Sequence, residues 1–98
     1  MANELLSADA SLLESAGQEM LTCGNTVQDT LTMMQNQVEN LRGTFQGRAA
    51  DAFYAKMEAM FQETRRLIEE MNEMGGDLKV TANRVRQLQA EAESLLRD

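Results

Sequence analysis

Apolar residues recur along this chain in alternating steps of four and three. In the first half the row is Leu6, Ala10, Leu13, Gly17, Met20, Gly24, Val27, Leu31, Met34, Val38 and Leu41. In the second half it is Ala50, Phe53, Met57, Met60, Thr64, Leu67, Met71, Met74, Leu78, Thr81, Val85, Leu88, Ala92 and Leu95, without a slip of phase. A repeat of this kind keeps one face of an α-helix apolar and predicts two long helices packed along a heptad seam. The second half carries a further row, Tyr54, Phe61, Ile68, Gly75, Ala82, Gln89 and Leu96, each one residue after a seam position. A face that wide exceeds what a two-stranded coil needs and suits a bundle.

The two patterns are separated by Arg42-Gly43-Thr44-Phe45-Gln46-Gly47. Two glycines between heptad runs read as a helix–helix turn. Gly43 is placed to end the first helix in a left-handed conformation, and the second helix is expected to start near Gly47. Ser7 is a suitable N-cap for the first helix, with Asp9 favourable to its dipole. The predicted fold is all-α: one domain over residues 1–98, with a helix at about 7–42, a turn at 43–47 and a helix at about 47–96. Gly75-Gly76 interrupts the second arm, but the seam keeps phase across it, so the helix is expected to continue. Pairing the arms about residue 45 sets Gly17 near Met74 and Gly24 near Leu67, where small against large lets the helices approach.

Two helices meet along one line, which covers the seam and leaves the extra row wet. A chain this small gains little from one hairpin core. Pairing two antiparallel hairpins into a four-helix bundle would bury the extra row. The expected dimer interface is therefore Tyr54, Phe61 and Ile68 with Met57 and Met60 of the second helix, and Met20, Val27 and Leu31 of the first. Eight Met residues suit an irregular packing surface.

Composition narrows the function. There is no His, no Pro, no Trp and one Cys. Lack of His removes the commonest general base and metal ligand, and one Cys cannot form an internal disulfide or a thiolate zinc cluster. No enzyme, cofactor or metal is expected. Glu69, Glu70 and Glu73 read as a solvated helix face, and Cys23, flanking the first seam, as a small buried hydrophobe. The net charge of −7 opposes nucleic acid as a partner. The first 41 residues hold six acids and no base, while the rest hold ten acids and nine bases. In a self-dimer the negative first arm could lie beside the partner's more basic second arm. No basic segment followed by an apolar core opens the chain, so no Sec-type signal peptide is expected, and no apolar run is long enough for a membrane span.

Phe45-Gln46-Gly47 is an aromatic residue, any residue, then Gly, set in the turn of a mid-chain hairpin and followed by Ala49-Ala50 and Phe53. With the heptads and the length, it resembles the Esx-type WxG family, the roughly hundred-residue substrates of type VII secretion systems. Phe45 stands where the family pattern has Trp. The resemblance implies a small, non-catalytic secreted substrate or adaptor that folds in the cytoplasm and leaves by a non-Sec route as a folded pair. Its implied partners are itself or a second small WxG-like hairpin, the secretion ATPase and a larger effector. It also implies a role for Phe45 and Gly47 in recognition by the export machinery. The family tends to carry, after the second arm of one partner, an aromatic followed four residues later by an acid. That signal is missing here, since the last aromatic is Phe61. Tyr54 and Glu58 have the spacing but read as helix-face residues. A cytosolic coiled-coil adaptor or chaperone without export is the alternative.

Overall fold

The computed structural model describes residues 2–97, with side chains from residue 8 onward. Two helices, α1 (Ala2–Leu41) and α2 (Arg48–Arg97), run antiparallel as a rod measuring 77 × 15 × 14 Å. Helix α1 begins earlier than the expected residue 7. Ser7 lies inside it and is not its N-cap, because the turn N-terminal to it is already helical. The side chain of Ser7 lies outside the described residues. Helix α2 passes through Gly75-Gly76 unbroken, as the phase of the apolar pattern predicts.

On α1 the helices meet along positions of the predicted seam, but on α2 they meet along the row one residue after it. The buried positions of α1 are Ala10, Gly17, Gly24, Leu31 and Val38, each seven residues from the next. Those of α2 are Tyr54, Phe61, Ile68, Gly75 and Ala82, with the same spacing, and Ala50. The row expected to stay wet and seek a partner is thus the hairpin's own core. Met57, Thr64, Met71, Leu78 and Val85 flank it half-buried, while Phe53, Met60, Leu67, Met74 and Leu88 lie exposed. Small residues explain the choice. The Tyr54 row contains Gly75 and Ala82, which can sit against Gly17 and Ala10 of α1. The Phe53 row offers no residue smaller than Thr at those levels and would hold the helices apart there.

That close approach is visible atom by atom. A Cβ built on Gly17 would lie 2.8 Å from the carbonyl oxygen of Gly75, and one built on Gly75 would lie 2.9 Å from the carbonyl oxygen of Gly17. Gly17 therefore faces Gly75, Leu78 and Lys79, and Gly24 faces Asn72 and Met71. The expected partners, Met74 and Leu67, point away into solvent. The facing residues are displaced along α2, by one residue from Met74 at Gly17 and by four to five from Leu67 at Gly24. On a helix that displacement changes which row faces inward.

Bulk is distributed unevenly along the rod. Near the turn, Leu31, Val38, Ala50, Tyr54, Phe61 and Ile68 form one apolar cluster, with Val27 and Met57 packed against it. Toward the open end the buried residues are Gly17, Gly75, Ala10 and Ala82, which have almost no side chain to bury. Apolar stabilisation scales with buried area, so it concentrates at the turn. One edge of the hairpin is stitched by polar contacts instead. Arg42 bridges Glu39 at 3.1 Å and Glu58 at 3.6 Å, Lys79 donates to Gln18 Oε1 at 2.6 Å, and Arg86 pairs with Glu14. These contacts are exposed and each contributes about 0–1 kcal/mol.

The packing predicts opposite outcomes at two glycines. Gly17→Ala places a methyl against backbone that cannot step aside, and should cost about 1–3 kcal/mol. Gly76 has nothing within 4 Å of a built Cβ. Gly76→Ala should therefore stabilise α2 by about 0.5–1 kcal/mol. Urea melts of the two variants should move in opposite directions. In native-state hydrogen exchange, amides of residues 31–38 and 54–68 should outlast those of residues 10–17 and 75–82. Uniform protection along the rod would contradict the uneven core.

Candidate functional site

Two features stand out from the coiled-coil frame: the turn and one long apolar face. Helix α1 ends as the Arg42 N–H bonds to the carbonyls of Val38 and Glu39, at 3.3 and 3.2 Å. The Phe45 N–H then reaches back to the Leu41 carbonyl at 2.7 Å. Among the described residues the positive-φ glycine is Gly47, at φ 114°. Gly43 does not adopt the left-handed conformation expected of it, because the chain reverses at Gly47 and not at the end of α1. The Gly47 carbonyl accepts the Asp51 N–H at 2.9 Å, which opens α2, and Asp51 sits in its first turn where a carboxylate favours the helix dipole.

Tyr54 ties this turn to the core. Its hydroxyl donates to the Phe45 carbonyl at 2.6 Å. Its ring packs edge-on to Phe45 and Phe53, with centroids 6.1 and 5.6 Å away, and the Arg42 guanidinium lies 4.5 Å from its centre. Phe45 and Phe53 also meet edge-on at 6.0 Å. Phe45 thus packs on the end of the hairpin core while keeping part of its ring in water. Tyr54 lies on the inward face of α2, and Glu58, four residues on, pairs across the turn with Arg42.

The apolar face lies opposite the polar edge. On α2 it is the row Phe53, Met60, Leu67, Met74, Leu88 and Leu95, from 36% to 81% exposed. On α1 it is the half-buried row Leu13, Met20 and Val27, continued by the exposed Met34 and Leu41. Between the two helices this face holds a groove of about 170 Å³, lined by Val27, Leu31, Met34, Met60 and Phe61 with Thr26, Thr30 and Thr64. Each of those three hydroxyls donates to the carbonyl four residues back in its own helix. The groove therefore presents methyl groups and few free polar atoms.

Of the eight residues expected at a dimer interface, Tyr54, Phe61, Ile68 and Leu31 are buried within the hairpin and unavailable to a partner. Met60 is exposed, and Met57, Met20 and Val27 are half-buried at the edge of the open face. Sequence reasoning missed Phe53, Leu67, Met74 and Leu88 as surface residues because the heptad pattern assigns them to the seam. Cys23 is exposed, not buried, since it lies outside the α1 row that meets α2. Glu69, Glu70 and Glu73 are exposed as expected. No group of His, Cys, Asp and Glu among the described residues is arranged to hold a metal ion, and no described helix is long and apolar enough to cross a membrane.

The family model for proteins of 100 residues with WXG, WXG100, matches residues 5–90. The chain belongs to the WXG100 family. WXG100 proteins are small helical secretion substrates whose members typically pair with one another. No curated protein and no solved structure matches the chain at a significant level. Against the WXG100 background the helical hairpin is the expected fold, and the open face is the part of it that a pairing partner can still cover.

The turn geometry makes its own prediction. Tyr54→Ala should cost about 3–5 kcal/mol, as for other buried aromatics, and Phe45→Ala distinctly less because its ring is partly exposed. Tyr54→Phe keeps the ring and removes the bond to Phe45, and should cost about 1 kcal/mol. Denaturant melts in which Phe45→Ala costs more than Tyr54→Ala would contradict the view that Tyr54 anchors the turn.

Proposed function

We propose that this chain is a non-catalytic substrate or adaptor of a type VII secretion system, folded in the cytoplasm and exported by a non-Sec route as a four-helix pair. The observation that carries the reading is the WXG100 match over residues 5–90 on a hairpin that leaves one continuous apolar face uncovered. Single exposed apolar residues need no explanation, but a row running most of the length of a helix does. Covering it with a second hairpin of the same kind gives the bundle that one hairpin cannot make.

Within this reading Phe45-Gln46-Gly47 is the family's turn motif, with Phe in the aromatic place. Gly47 serves it through its positive φ, and Phe45 through a ring exposed enough for export machinery to touch. The secretion ATPase is the partner expected at that end, and a larger effector is the cargo expected to travel with the pair. A second small hairpin is the alternative partner to a second copy of this chain.

Export is the direct test. The tagged chain should appear in the culture medium of its native host and remain in the cells when the secretion ATPase is deleted. Phe45→Ala should lower export more than its modest effect on stability accounts for. Equal amounts in the medium with and without the ATPase would overturn the export reading and favour a cytosolic adaptor.

A further inference from the structure

We infer that Arg42 is the positioning residue of the turn: its guanidinium lies on the Tyr54 ring and, through Tyr54, sets how the Phe45 ring is presented at the tip of the rod. This rests on the recognition role proposed above for Phe45 and names the residue that governs it. Arg42 is the first base in the chain, after six acids, and stands one residue past the end of α1, where a cation complements the helix dipole. Three contacts converge on its side chain. Nε lies 3.1 Å from Glu39 Oε2 in the last turn of α1, Nη2 lies 3.6 Å from Glu58 Oε1 on α2, and the central guanidinium carbon is 4.5 Å from the centre of the Tyr54 ring. Its backbone is held as well, since its N–H bonds back to α1 and its carbonyl accepts Gln46 Nε2 at 3.3 Å.

Tyr54 passes this constraint on in two ways. Its hydroxyl donates to the Phe45 carbonyl, and its ring packs edge-on against the Phe45 ring. A Tyr54 ring that tilts carries both contacts with it, so whatever holds the ring also aims Phe45. The geometry requires arginine. A planar guanidinium can lay its face on an aromatic ring while its edge N–H groups pair with carboxylates. A lysine ammonium in the same place is a point charge that keeps the ion pairs and loses the stacked plane. The two ion pairs are exposed and contribute little by themselves. What Arg42 supplies beyond charge is therefore the orientation of Tyr54, and with it that of the half-exposed Phe45.

The experiment compares Arg42→Lys and Arg42→Gln in the full chain. The three phenylalanines, Phe45, Phe53 and Phe61, give three reporters when the protein is labelled with fluorophenylalanine and read by fluorine NMR. In both variants the Phe45 signal should move while that of the buried Phe61 stays, with helix content by circular dichroism unchanged. Chymotryptic cleavage after Phe45 should quicken roughly three- to tenfold, the range that loss of one cation–π contact allows. Export should fall in both variants, and lysine should not rescue it. Should Arg42→Gln unsettle the fold, Arg42→Lys carries the test, because it keeps the charge and both ion pairs. An Arg42→Lys protein whose Phe45 signal and cleavage rate match the parent would overturn the inference and reduce Arg42 to a surface charge. Normal export from a chain whose Phe45 has moved would overturn the link between position and recognition. Normal export of Phe45→Ala would overturn the recognition reading itself, a separate result, because the Phe45 signal and its cleavage are read on the purified protein.

Discussion

The close contact between Gly17 and Gly75 decides how this hairpin is built. Each glycine leaves so little room that a single added carbon would press on the other's carbonyl oxygen. Only rows with such residues at matching levels can bring two helix backbones this near. Once Gly17 is set on Gly75, the seven-residue repeat carries Ala10 to Ala82 at one end and Leu31 and Val38 to Phe61 and Tyr54 at the other. The inward row of α2 follows, and so does the row that must face out.

The outward row is the functional consequence. A helix with three adjacent apolar rows can hide two of them in a hairpin, one fully and one by half. The third, from Phe53 to Leu95, remains as surface. The polar contacts of Arg42, Lys79 and Arg86 close the opposite edge, so the molecule has one stitched side and one open apolar side. Methionine, whose flexible side chain fits irregular packing, is concentrated on the open side. Met20, Met34, Met57, Met60, Met71 and Met74 all lie on or beside it.

Much of this was legible in the sequence. The heptads predicted both helices, the phase across Gly75-Gly76 predicted an unbroken α2, and the turn fell where the glycines lie. The choice between the Phe53 row and the Tyr54 row was not legible from hydrophobicity, since both rows are apolar and sit one residue apart. The signal that separates them was present as Gly75 and Ala82, set opposite Gly17 and Ala10 in an antiparallel pairing. Reading it required weighing size above hydrophobicity. Gly43 and Gly47 posed the same problem at the turn. Both could supply a positive φ, and the hydrogen bonds of Arg42 and Phe45 back to α1 leave the reversal to Gly47.

The central claim is that the Phe53–Leu95 row is covered by a partner while the Tyr54 row holds the hairpin together. Methionine oxidation by peroxide, mapped by mass spectrometry over a range of protein concentrations, tests it most directly. Met60 and Met74 lie on the open row, whereas Met33 is 62% exposed on α1 and outside it. The account predicts that Met60 and Met74 become protected as concentration rises and the pair forms, with Met33 reacting at a constant rate. Equal reactivity of all three at every concentration, with the helices intact, would contradict it.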